Sequence, residues 1–131
     1  MPPIEGEARM ILRIHHAQVM IPTGAEAQAR RFYCDLLGLQ EVAKPVPLAV
    51  RGGFWLSVGE QQLHIGIEPE WQDHNQRREH VAYEVDDLNA WRTRLATAGV
   101  AVRDAEQVSG YRRIELRDPF GNRIEMMQRT E

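Results

Sequence analysis

The chain carries one plan twice. His16-Ala17-Gln18-Val19-Met20-Ile21 overlays His80-Val81-Ala82-Tyr83-Glu84-Val85, an offset of 80 − 16 = 64. Leu37-Gly38-Leu39 answers to Ala98-Gly99-Val100. Gly59-Glu60-Gln61-Gln62-Leu63-His64-Ile65 overlays Phe120-Gly121-Asn122-Arg123-Ile124-Glu125-Met126, an offset of 125 − 64 = 61, so a loop has changed length between the copies. An internal repeat means two copies of one supersecondary unit. A pseudo-twofold axis between them would carry equivalent positions towards a shared centre.

Each copy reads as β-α-β-β-β. Residues 1–8 read as a flexible arm. Arg9 to Ile21 is apolar and β-prone up to Pro22-Thr23-Gly24, which predicts a strand. Ala25 to Leu37 places Ala29, Phe32, Tyr33, Leu36 and Leu37 at helical spacing, with Gly38 as the stop. Strands follow at Leu39–Val42, Phe54–Val58 and Leu63–Glu68, with Lys44-Pro45-Val46-Pro47 interrupting, since proline cannot sit inside a paired strand. Residues 69–79 are polar and read as a linker. The second copy has a strand at His80–Val85, then a helix opened by Asp86-Asp87-Leu88, where acidic residues suit the helix dipole. Strands at Val100–Arg103, Tyr111–Arg117 and Arg123–Gln128 complete it. The expected class is α+β, one domain over 9–131, with module one at 9–68 and module two at 80–131.

Bulk properties remove some functions. A length of 131 residues suits one compact domain. A net charge of −3 offers no basic excess for nucleic acid or an acidic membrane surface. No apolar run approaches membrane-spanning length, and the acidic, proline-broken N-terminus is not a signal peptide. The one cysteine, Cys34, excludes an intramolecular disulfide and fits a reducing cytoplasm.

The repeat pairs chemistry as well as structure. His16 matches His80, and His64 matches Glu125. Each is flanked by apolar neighbours, such as Leu63 and Ile65, or Ile124 and Met126. Those neighbours can pack on the helices and leave the four polar side chains on the other, wetter face. Imidazoles plus one carboxylate suit a divalent Fe, Mn, Ni, Co or Zn ion, with positions left for substrate and water. The competing reading is strand histidines and a surface glutamate with no ion. Asp118-Pro119-Phe120-Gly121-Asn122 is a tight turn that sets the register of Glu125.

The chain resembles the vicinal oxygen chelate superfamily of glyoxalase I, bleomycin-resistance proteins, fosfomycin-resistance enzymes and extradiol dioxygenases. The likeness rests on His16-Ala17-Gln18-Val19, Phe32-Tyr33-Cys34-Asp35-Leu36-Leu37-Gly38-Leu39, His80 through Leu88, and Asp118 through Glu125. It implies paired modules forming a curved mixed sheet around a central metal cleft. It carries the ligand positions onto His16, His64, His80 and Glu125, and implies a homodimer whose clefts draw on both chains. Glyoxalase I usually has glutamate where this chain has His64, and there a carboxylate is also the proton-transfer base. Fosfomycin thiol transferases place a characteristic polar sequence where this chain has Met126-Met127-Gln128. Extradiol dioxygenases use longer two-domain chains. The resemblance thus implies a metal-dependent enzyme on a small oxygenated substrate, as lyase, isomerase or dioxygenase. The ion would act as Lewis acid towards an enediolate or similar anion, with His64 as fourth ligand or catalytic base. The alternative is a metal-free binding protein of the bleomycin-resistance type.

Strand parity puts Trp55, Ser57, Arg113 and Glu115 on the cleft side. Trp55 reads as a pocket wall, and Arg113 as a bidentate partner for an anionic substrate group, with Glu115 beside it. His15 is expected to point away from His16, His74 to lie on the surface, and Cys34 to be buried and inert. Phe32, Tyr33 and Trp91 are expected in the core.

Overall fold

The protein is described by a computed structural model covering residues 9–44 and 52–130. The expected arm at 1–8 and the proline interruption at 45–47 lie outside the described residues. The first sheet contains β1 (His16–Pro22), β2 (Gln40–Val42), β3 (Phe54–Val58) and β4 (Gln61–Glu68), in the order β1-β4-β3-β2. The second contains β5 (His80–Glu84), β6 (Val102–Asp104), β7 (Tyr111–Arg117) and β8 (Arg123–Arg129), in the order β5-β8-β7-β6. In each sheet the outer strand runs parallel to its neighbour and the other pairs are antiparallel. This is α+β, two βαβββ modules.

Register proves the repeat position by position. His16 lies opposite Gln62 in β1–β4, and His80 lies opposite Arg123 in β5–β8. His64 and Glu125 each stand two residues further on, so they are equivalent. One detail shifts. Trp55 faces His64 as Glu115 faces Glu125, and Ser57 faces Gln62 as Arg117 faces Arg123. Arg113 is therefore the counterpart of Gly53. Gly53 has φ +90°, and a Cβ there would sit 2.2 Å from the Ile65 carbonyl oxygen. Module one has no room for a side chain where module two carries an arginine.

Other expectations need correction. The strand predicted from Arg9 begins only at His16, because β4 starts at Gln61 and offers no backbone partner further upstream. The first helix is α1 (Glu26–Arg30), and Arg31–Leu36 widens into a π-helical turn in which the Leu37 amide donates to the Phe32 carbonyl. The second helix, α2 (Leu88–Thr97), is capped by Asp87, whose carboxylate accepts from the Ala90 amide. Its buried Leu88 and Leu95 pack with Tyr33, Phe54, Ile65, Ile114, Ile124 and Met126 in one core. Phe32 and Tyr33 are buried as expected, while Trp91 is only partly buried against that core.

The Asp118–Asn122 turn fastens module two to module one. Asp118 is buried and accepts from the Tyr33 hydroxyl at 2.6 Å, the Phe120 and Asn122 amides at 2.9 Å, and Asn122 Nδ2 at 2.9 Å. Asn122 Nδ2 also donates to the Met20 carbonyl in β1. That fixes Asn122 Oδ1 as an acceptor, so His74 Nδ1 donates to it at 2.6 Å. His74 is 2% exposed and lies against Trp71, ring centroids 3.9 Å apart. The expected surface histidine is a buried post between modules. Polar linker composition concealed it, because the turn that receives it is 48 residues downstream.

Candidate metal centre

The structure sorts the four sequence candidates into two pairs. In module one, alternation along β1, β3 and β4 puts His16, Gln18, Trp55 and His64 on one face. The His64 ring stacks on Trp55, centroids 4.3 Å apart and 5° from parallel. His16 meets the same indole edge-on at 4.9 Å. Trp55 is buried and backs both imidazoles. Burial first, then nearby His16 and Lys44, holds the His64 pKa below the ordinary histidine value. His64 is therefore a neutral imidazole at neutral pH, able to donate a lone pair to an ion or accept a proton.

The sign of the pH effect follows. The folded chain takes up this proton less readily than the unfolded chain. The stability that neutral His64 contributes is present above the ordinary histidine range and is lost as pH falls through the lower folded value. In metal-free protein, NMR titration of the His64 ring protons is expected to give a midpoint below about 6.5. His64→Gln is expected to flatten the acid limb of the stability curve. A midpoint at or above the ordinary value would contradict this reading.

Module two is charged where module one is neutral and aromatic. Glu125 is 3% exposed and faces Glu115 directly across β7–β8. Two facing carboxylates repel, and guanidinium groups offset this. Arg113 Nη1 lies 2.8 Å from Glu125 Oε1, and Arg123 Nη2 lies 3.3 Å from Oε2 and 3.2 Å from Glu115 Oε1. Arg113 also donates from Nε to the Glu106 carbonyl. The residue expected to grip a substrate anion is thus engaged in holding Glu125. Arg123 joins the site as well, and its place two residues before Glu125 on one strand is the sequence signal for it.

His80 closes the second pair. Its Nδ1 lies 2.8 Å from the Arg78 carbonyl oxygen, which can only accept, so Nδ1 carries the proton. Nε2 then faces Glu125 Oε2, 3.0 Å away. A lone pair facing a carboxylate oxygen is repelled unless a proton or a metal cation lies between them. Two donors each about 2.1 Å from one ion and at right angles to it lie about 3 Å apart. A ring N–H anchored to a carbonyl is also the usual outer support of a metal-bound histidine. The donor set fits a divalent ion.

The pairs are not gathered in one chain. Among the described residues no three His, Cys, Asp or Glu side chains are close enough to hold one ion. His15, expected on the far side, turns its exposed ring onto His16, Nδ1 to Nδ1 3.1 Å, because residue 15 precedes the strand and escapes its alternation. Cys34 is only partly buried, and desolvation raises its thiol pKa, which keeps it protonated and unreactive.

Residues 13–126 match the Glyoxalase/Bleomycin resistance protein/Dioxygenase superfamily. The chain belongs to that superfamily. A glyoxalase family protein from Bacillus anthracis is 36% identical, with 95% of this chain and all of that one covered and a TM-score of 0.86. The fold recurs in a lactoylglutathione lyase from Agrobacterium tumefaciens at 22% identity, covering 88% of this chain and 92% of that one, TM-score 0.69. It recurs equally in an antibiotic binding protein from a Streptomyces species at 21% identity, covering 94% and 100%, TM-score 0.67. No curated protein matches the chain. A lyase and a binder share this fold, so the choice between them rests on the site and not on the scaffold. Among the described residues of this superfamily member no helix is long and apolar enough to cross a membrane.

Proposed function

We propose that this superfamily member is a metal-dependent enzyme acting on a small oxygenated substrate, with each centre assembled from two copies of the chain. His16 and His64 of one copy would meet His80 and Glu125 of the other. The observation that carries this is His80, whose proton is committed to the Arg78 carbonyl and whose Nε2 faces Glu125 Oε2 at 3.0 Å. A divalent ion held there would supply Lewis-acid polarisation to a substrate with two adjacent oxygens.

The chain's own residues would do the rest. Trp55 fixes the plane of His64, so its lone pair has one direction. Neutral His64 would serve as a fourth ligand or take a proton from the substrate. Arg113 and Arg123 fix both oxygens of Glu125, removing rotamer freedom before anything binds. Glu115, opposite Glu125, holds Arg123 in place.

A second reading is a metal-free small-molecule binding protein. It is favoured by the same two guanidiniums, which already neutralise Glu125. Metal analysis and calorimetric titration of protein purified without a histidine tag separate the two. The enzyme reading expects one tight divalent ion per chain. Absence of stoichiometric binding by Fe, Mn, Co, Ni and Zn, with small-ligand melting shifts that survive His80→Ala and Glu125→Ala, would establish the binder instead.

A further inference from the structure

His16 and His80 hold equivalent places in the two modules, each opening the first strand of its sheet. Each also has its Nδ1 engaged from just upstream. His80 Nδ1 lies 2.8 Å from the Arg78 carbonyl oxygen. His16 Nδ1 lies 3.1 Å from Nδ1 of the neighbouring His15. The counterpart of His15 in the repeat is Glu79 (79 − 15 = 64), so the two modules reach the same nitrogen by different means. The backbone at residue 15 is held in place for this. Its carbonyl accepts from the Gln62 amide, 3.2 Å, and the Ile14 carbonyl accepts from Gln61 Nε2, 3.1 Å. These bonds tie the residues ahead of β1 to β4, the strand that carries His64. The His15 ring then meets the His16 ring edge-on, centroids 5.3 Å apart.

Two neutral imidazoles that face each other through Nδ1 share one proton, so one ring donates and the other accepts. If His15 donated, His16 would carry its own proton on Nε2 and keep no nitrogen with a free lone pair. Module two decides the direction. There the Arg78 carbonyl can only accept, which puts the His80 proton on Nδ1 and frees Nε2. We propose that His15 plays the part of that carbonyl. It is a positioning residue that accepts the Nδ1 proton of His16 and leaves His16 Nε2 as the nitrogen offered to an ion. This rests on the metal reading above and not on the number of chains in a centre. A ring N–H held by an outer acceptor fixes both the tautomer and the direction of the remaining lone pair. His15 thus supplies by side chain what the backbone supplies to His80, and the duplicated histidines present the same atom.

The test uses the full chain and two variants. His15→Asn keeps an acceptor oxygen close to the place of Nδ1, whereas His15→Phe keeps a ring and no acceptor. Both change an exposed side chain, so their melting temperatures should match the parent's. Long-range proton–nitrogen NMR of metal-free protein, above the histidine titration range, reads the tautomer of His16. The expected result is Nδ1–H in the parent and in His15→Asn, and mixed tautomers in His15→Phe. Calorimetric titration with zinc should show affinity about ten- to a hundredfold weaker in His15→Phe than in the parent. His15→Asn should recover most of that loss. A His16 proton on Nε2 in the parent overturns the proposal, and so does unchanged zinc affinity in His15→Phe. Equal losses in the two variants overturn it as well, because restoring the acceptor would then restore nothing. A parent that binds neither zinc nor any of the other divalent ions overturns the metal reading itself, and the role of His15 with it.

Discussion

Mixing two variants that each bind metal poorly, His16→Ala and His80→Ala, is expected to restore tight ion sites. Each variant alone should lose affinity by at least about a hundredfold, since a direct donor is worth more than the outer supports whose loss costs ten- to a hundredfold. In a mixed dimer, one cleft takes intact His16 and His64 from one chain and intact His80 and Glu125 from the other. The opposite cleft lacks both. Random exchange makes half the dimers mixed, so about one quarter of the parent's sites should return. The measurement is bound zinc or nickel per chain after co-refolding and desalting. No recovery, with mixed dimers shown to form by mass spectrometry, would place all donors of a site within one chain.

Asp118→Ala is expected to cost about 3–5 kcal/mol of folding stability. The substitution leaves the buried Tyr33 hydroxyl and Phe120 amide and the half-buried Asn122 amide without their acceptor, and takes one of two acceptors from Asn122 Nδ2. Removing one member of a buried charged network carries a cost of about that size. In a chain of this length the melting temperature should fall by roughly 10 °C or more. Tyr33→Phe removes one of the four donors and should cost about 1–2 kcal/mol. Urea denaturation with unchanged slope checks both. A loss under about 1 kcal/mol for Asp118→Ala would mean that the turn does not join the modules.

The repeat made the architecture readable. An offset of 64 at His16 and His80, and of 61 at His64 and Glu125, anticipated the register later seen in the β1–β4 and β5–β8 pairs. Alternating apolar neighbours then gave the face of each donor. What the sequence concealed was every relation that depends on contact rather than on period. His74 sits in a polar stretch, and only the fold reveals that Asn122 waits for it. The strand parity of Arg113 is visible in the sequence and suggests a side chain free to hold a substrate, whereas its engagement with Glu125 is visible only in the fold. Residues 9–15 have strand chemistry, but strand formation needs an edge to pair with, and among the described residues β4 begins too late to provide one.

Gly53 and Arg113 occupy one place in the two copies, and they are not interchangeable. A side chain at Gly53 would run into the Ile65 carbonyl, so the cationic clamp of module two cannot be built into module one. The duplication is symmetric in its backbone and asymmetric in its electrostatics. The cleft proposed here, assembled from one half of each kind, would therefore have a sense of direction, with stacked rings at one end and a lattice of fixed charges at the other. A guest molecule with one apolar and one polar end would meet two different walls and have one way to lie between them.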